Sequence, residues 1–301
     1  MDAAREQFVN GRRRGIGGSD VGPILGLSPW KTAYQVWLEK TQPLGIDEPT
    51  PQMKYGILME PIIRQWYADE TGRKVTVLKD MLHHPQYPFI IANLDGIADG
   101  QRVLEIKTAQ YADDWGEQGT DEIPIYYNTQ IQQYMMVTGF DVADVAVSFG
   151  GRMPVIYEVP ADKDLHTILL EKMVEFWALV QSNTPPEPVT YADAIARFGG
   201  KSVGKEVVAS AEIETAALEL KVVRETLTAL KLIEEDVKGR LMIALGENDT
   251  LVDPAGKVLA TWKQSKTTTK FDSDLFRKEN PTIFSAYQKE QPGSRRFLIK
   301  N

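Results

Sequence analysis

The segment that most constrains the fold is NLDGIADGQRVLEIKTA, Asn93 to Ala109. Asp99-Gly100, between two apolar runs, is a hairpin signal, because both residues tolerate the positive φ of a tight β-turn. With residues 99–101 as the loop, cross-strand partners have numbers that add to 200, which sets Asp95 opposite Glu105. A two-residue turn shifts that pairing by only about one residue. Facing side chains have Cβ atoms roughly 4.5–5.5 Å apart, a distance at which like charges repel. Glu105 and Lys107 share that face, while Leu104 and Ile106 point the other way, into a core. Two carboxylates and a lysine therefore converge. Such a carboxylate pair favours a divalent cation over Lys107 alone.

Residue inventory narrows the cation. Cysteine is absent and histidine occurs only as His83, His84 and His166. Disulfides, thiolate zinc sites and cysteine-held iron–sulfur clusters are thereby excluded. A metal would be held mainly by oxygen, which favours Mg²⁺, Mn²⁺ or Ca²⁺. The 301 residues, 43% hydrophobic and 25% charged, fit one large domain or a domain with an appendage. Apolar runs fall far short of the ~20 residues of a membrane span, and the N-terminus lacks a secretory core, so a cytoplasmic protein without membrane contact is expected. Charge is uneven. Residues 1–200 carry 17 Lys+Arg against 27 Asp+Glu, whereas residues 251–301 carry 10 against 5. An acidic body with basic patches, GRRRG among them, suits an enzyme that collects cations and touches a polyanion locally.

Periodicity and breakers lay out the rest. GIGGSDVGPILGLSPW is a turn-and-short-helix region, and Thr32 caps a helix through AYQVWLEK. A helix over 52–71 would bury Met53, Ile57, Ile62, Ile63 and Trp66 and end at Gly72. Strand KVTVL and the hairpin follow, then a helix over 126–138, strands VADVAVSF and MPVIYEV, and a helix over 163–182. Beyond Gly199-Gly200, residues 206–245 show heptad-like spacing of Ile213, Leu220, Leu227, Leu230, Ile233, Val237 and Leu241, predicting a long arm or a helical hairpin. A strand KVLATWK, a short helix near FDSDLFRKE and a basic end complete a small α+β tail. Two domains are expected, residues 1–200 and 201–301. Trp37 and Trp66 read as core, Trp30 and Trp115 remain open to base stacking, and His83 and His84 read as loop residues.

A strand–turn–strand bearing Asp and then Glu-x-Lys, followed by a helix, has the layout of a PD-(D/E)XK nuclease core, although Glu-x-Lys by itself is more often a solvated strand face. Four motifs occur in order: GIGGSDVGPILGLSPWKTAYQVW, GILMEP, NLDGIADGQRVLEIK and YYNTQIQQYMMVTG. Through them, over about residues 8–185, the chain resembles the YqaJ-like viral recombinase family, the lambda-exonuclease-like branch of that superfamily. The resemblance implies an α/β, restriction-endonuclease-like fold with a mixed central sheet flanked by helices. The region after residue 200 lies outside the lambda-type pattern.

The resemblance also assigns roles. Asp95 and Glu105 match the metal carboxylates and Lys107 the catalytic lysine, and the Ile106 backbone carbonyl would join the ligands. Glu60 in GILMEP matches an upstream glutamate that approaches the metals. Gln130, and more loosely Tyr127, match the helix flanking the site; Gln132 is the weaker match. Ser19 and Arg12 match a serine–arginine pair on the terminal 5′ phosphate, with Arg13 and Arg14 as alternatives to Arg12. Helix capping by Ser19 or Asp20 is the rival reading. The implied activity is that of a Mg²⁺-dependent exonuclease, with Mn²⁺ as substitute. It would resect linear double-stranded DNA 5′ to 3′, release mononucleotides and leave 3′ single strands for recombination. A phage or prophage origin, a trimeric ring and a single-strand annealing partner are implied likewise. The alternatives are a structure-specific or restriction-like endonuclease and a non-catalytic DNA-binding recombination module.

Overall fold

A five-stranded mixed sheet organises the first of two units into which the chain divides, Met1–Arg197 and Phe198–Asn301. The computed structural model describes residues 11–42, 48–200, 202–290 and 293–300. The first unit runs β1 (Ile16–Gly17), α1 (Gly18–Ile24), α2 (Ala33–Thr41), α3 (Pro51–Thr71), β2 (Val75–Thr76), β3 (Leu82–His83), β4 (Ile90–Ala92), β5 (Gly96–Ala98) and β6 (Arg102–Ala109). It continues with α4 (Ile125–Thr138), β7 (Val142–Phe149), β8 (Val155–Pro160), α5 (Lys163–Gln181) and, at its boundary, α6 (Tyr191–Phe198).

The sheet order is β2-β5-β6-β7-β8, with β6 and β7 parallel and the other pairs antiparallel. Helix α4 supplies the crossover that a parallel pair requires. A second sheet, β1-β4-β3, is short. The hairpin has the expected register: Gly96 faces Leu104 and Ala98 faces Arg102, with Asp99 at φ 49° and Gly100 at φ 75° in the turn.

Both faces of β6 are covered, as its burial pattern demands. Leu104 and Ile106 pack with Ile63, Tyr67, Ala98 and Ala146 on one side. Val103 joins the larger cluster that includes Ile131, Met135, Val145, Leu169 and Phe176. Thr32 caps α2 by accepting from the Gln35 N–H at 3.2 Å, and the left-handed Gly72 and Gly139 end α3 and α4. One expectation fails in α3. Met53, Ile57 and Ile62 are exposed, and the buried stripe is Ile63 and Tyr67. The face that meets the sheet is the one carrying Ile63 and Tyr67, and Met53, Ile57 and Ile62 lie outside it.

The second unit contains α7 (Ala211–Leu245), β9 (Thr250–Val252), β10 (Val258–Thr261), α8 (Ser273–Glu279) and α9 (Pro281–Ala286). Of the two expected forms, the arm is a single 35-residue helix rather than a hairpin, capped by the Ser210 hydroxyl. Gly239 does not break it, since one interior glycine costs only ~1 kcal/mol. Among the described residues, no helix is long and apolar enough to cross a membrane.

Candidate active site

The site forms where β5, β6 and the first half of α4 meet. Asp95 precedes β5, and its Oδ2 accepts the backbone N–H of Ile106 at 2.8 Å, so the carboxyl is fixed against the strand that carries Glu105 and Lys107. Glu105 is only 3% exposed. Its Oε1 accepts from Lys107 Nζ and from Gln130 Nε2, both at 2.7 Å. Gln130 also receives Lys107 Nζ on its Oε1 at 3.1 Å, and its amide donates to the Tyr134 hydroxyl at 3.0 Å. Tyr127 places its ring 4.7 Å from Lys107 Nζ, a cation–π distance. The hairpin and α4 thus bring together Asp95, Glu105, Lys107, Gln130 and Tyr127.

Electrostatics follow from this crowding. Burial, reinforced by the charges of Glu105 and Glu60, pushes Asp95 up to about 8. Glu105 is raised too, by burial first and by Glu60, although Lys107 and Gln130 oppose the shift. Burial alone would lower Lys107, but Glu105 and Asp95 reverse that and hold it above its usual range, as an ammonium. Tyr134 is pushed well above its ordinary value by burial and both carboxylates, so it stays a neutral phenol.

One atom in this network is unsatisfied. Glu105 Oε2 is buried with no hydrogen-bond partner. A buried acceptor without a donor costs about 1–3 kcal/mol, more for a charged group. An orphaned carboxylate oxygen beside a second, proton-hungry carboxyl is a donor set suited to a hard divalent cation. Among the described residues, no group of three or more His, Asp or Glu side chains is drawn together closely enough to hold a metal. Glu60 is paired with Arg64 one turn along α3. Arg64 also donates through Nε to the Asp95 carbonyl at 2.8 Å, tying that pair to the hairpin.

The glycine-rich segment builds a second wall. Arg12 Nη2 donates to the exposed Ser19 hydroxyl, so Arg12, not the exposed Arg14, is the arginine on Ser19. Gly17 is the N-cap of α1, and Asp20 accepts its N–H at 2.9 Å; Ser19 caps nothing. Asp20 is also paired with Lys40 at 2.7 Å, and although burial raises the carboxyl, Lys40 and Arg12 outweigh it and hold it below its usual range. Gly18 has a steric reason. A Cβ there would sit 2.5 Å from Tyr134 and 2.8 Å from Gln130, so only glycine lets α1 lie against the site helix.

Other candidates lie apart. Gln132 faces away, bonded to the Pro160 carbonyl, the Asp162 N–H and His166. Trp37 and Trp66 are core or packed on it, and Trp115 is half-buried against Tyr127, Phe149 and Tyr157. Sequence reasoning missed Tyr134, Arg64 and the Asp20–Lys40 pair. The first two stand four residues beyond Gln130 and Glu60, a helix-face spacing that could have flagged them.

Fold and site together define the class: a mixed α/β unit of restriction-endonuclease-like architecture, with a carboxylate pair and a lysine on its central hairpin. Residues 7–141 match the YqaJ-like viral recombinase domain, so that stretch of the chain is similar to that family. It is 37% identical over 182 residues to the uncharacterized protein YqaJ of Bacillus subtilis (strain 168), an alignment that covers 58% of this chain and 56% of the relative. The match therefore spans little more than half of that curated relative. The fold is also similar to that of the crystal structure of an alkaline exonuclease, LHK-Exo, from Laribacter hongkongensis. There the identity is 19% and the TM-score 0.51, covering 60% of this chain and 94% of the other.

Proposed function

We propose that the protein is a Mg²⁺-dependent exonuclease of phage-type recombination, which digests linear double-stranded DNA from 5′ to 3′, releases mononucleotides and leaves 3′ overhangs. The observation that carries this reading is the buried, partnerless Oε2 of Glu105 beside a raised Asp95. The match of residues 7–141 to the YqaJ-like viral recombinase domain supports it, and polarity and products rest on the family resemblance.

Asp95, Glu105 and the Ile106 carbonyl would hold the cation, with Glu60 as the further carboxylate. When bound, a divalent cation there supplies Lewis-acid polarisation of the scissile phosphate. Lys107 stays protonated beside Glu105, so its part is to orient the attacking water and to neutralise charge growing on the phosphoryl oxygens. Gln130 bonds to both Lys107 and Glu105 and orients the pair. Arg12 and Ser19 receive the 5′ phosphate, for which a guanidinium beside a hydroxyl is suited. A trimeric ring and a single-strand annealing partner belong to the same reading, and the second unit is the candidate for partner or DNA contact.

The experiment is digestion of linear duplex labelled separately at its 5′ and 3′ ends, with closed circular DNA in parallel. Early release of the 5′ label with circles intact is the expected result. Cut circles would replace the exonuclease by an endonuclease of the same fold.

A further inference from the structure

Trp30 is 67% exposed, unusual for the largest apolar side chain in a chain with ample core. It is not adrift. Its ring meets Tyr126 edge-on at 4.8 Å and 79°, and lies 6.2 Å from Tyr127. Tyr126 and Tyr127 are in turn 4.6 Å apart, and Tyr127 sits under Lys107 at 4.7 Å. A line of three aromatic rings therefore runs from solvent to the lysine of the candidate active site.

The loop that carries Trp30 is held at both ends. On one side, α1 lies against α4 so closely that a Cβ on Gly22 would sit 3.2 Å from Tyr126. On the other, the Thr32 hydroxyl donates to the buried Asp193 at 3.0 Å and caps α2. Between them the Ser28 hydroxyl accepts the Trp30 N–H at 3.3 Å. An exposed indole on a braced loop keeps its position without packing, which is what a ligand platform needs.

We propose that Trp30, backed by Tyr126 and Tyr127, is a stacking shelf for a nucleobase of the DNA end, next to the hydrolytic centre. The proposal deepens the nuclease reading and rests on it. Stacking on a π-face accepts any base, so the shelf would grip ends without sequence preference, and it would favour a terminal base that has left its pair. The edge-on contact with Tyr126 leaves the indole available to a planar guest, and Tyr127 links that guest to the phosphate-facing Lys107.

The test compares two 5′-phosphorylated duplexes with fluorescein on the far end, identical except that the two 5′-terminal nucleotides are thymidine or abasic. Binding is followed by anisotropy in EDTA, so no cleavage is needed. Wild type should bind the thymidine end roughly 5- to 100-fold more tightly. Trp30→Ala should lose that preference while keeping the abasic-end affinity, and Trp30→Phe should restore part of it. Retention of the full preference by Trp30→Ala, its absence from wild type, or no binding of either duplex would overturn the shelf. So would a drop in sedimenting mass of Trp30→Ala with DNA binding unchanged, which would assign the indole to a contact between copies. A preference in EDTA without any Mg²⁺-dependent hydrolysis would keep the shelf and sink the nuclease.

Discussion

Gln130 donates to Glu105 Oε1 at 2.7 Å from the middle of α4, and the same amide takes the Lys107 ammonium on its carbonyl at 3.1 Å. One side chain thus braces both members of the Glu105–Lys107 ion pair on β6. Removing it takes one donor from Glu105 Oε1 and one acceptor from Lys107, and leaves the buried Tyr134 hydroxyl short of its donor. Gln130→Ala is expected to lower kcat by about 10–100-fold, the usual cost of losing a residue that orients a metal ligand. Steady-state nucleotide release is the readout, and KM should move little.

On the proposed mechanism, Asp95 would link cation binding to pH. Its carboxyl is pushed up to about 8, so below that pH the site carries a proton that a cation must displace. Mg²⁺ affinity, measured by calorimetry, should weaken about tenfold per pH unit at most as pH falls from 8. Stability of the metal-free protein runs the opposite way. A raised folded-state value means that the native state binds more protons than the unfolded chain, so stability declines as pH rises from the ordinary 3.8 toward 8. Thermal melts in EDTA should show that decline, and Asp95→Asn should flatten it.

Gly18 permits the approach of α1 to the site. Gly18→Ala would drive a methyl into the Tyr134 ring and the Gln130 side chain, an overpacking expected to cost about 1–3 kcal/mol in a urea melt. Activity should fall further than stability alone explains, because Gln130 is one of the displaced groups.

The Asp20–Lys40 pair is almost wholly buried, with side-chain exposures of 2% and 3%. Lys40→Met should destabilise by about 3–5 kcal/mol, since it strands a buried carboxylate. The double variant with Asp20→Asn should recover part of that loss, which a thermodynamic cycle would measure.

Much of the hairpin was legible because its determinants are local. Asp99-Gly100 selects the turn, and alternation along VLEIK then sets register and face, placing Asp95 against Glu105. Caps at Thr32 and Gly72 were readable for the same reason. Lys40 could not be placed on Asp20 from sequence, because 20 residues and a change of helix separate them and only the tertiary fold joins them. Nor could the exposure of Met53 and Ile57, since α3 carries apolar residues on more than one side and only the tertiary fold selects the side that is buried. The unbroken α7 likewise depended on whether Gly239 would end it, a choice worth only ~1 kcal/mol.

The most direct test of the central claim is release of acid-soluble nucleotide from linear duplex by wild type and by Glu105→Gln, with Mg²⁺ and with EDTA. The account predicts rapid release by wild type in Mg²⁺, none in EDTA, and a loss of at least about a hundredfold in Glu105→Gln. Hydrolysis that survives EDTA, or that Glu105→Gln leaves intact, would contradict it.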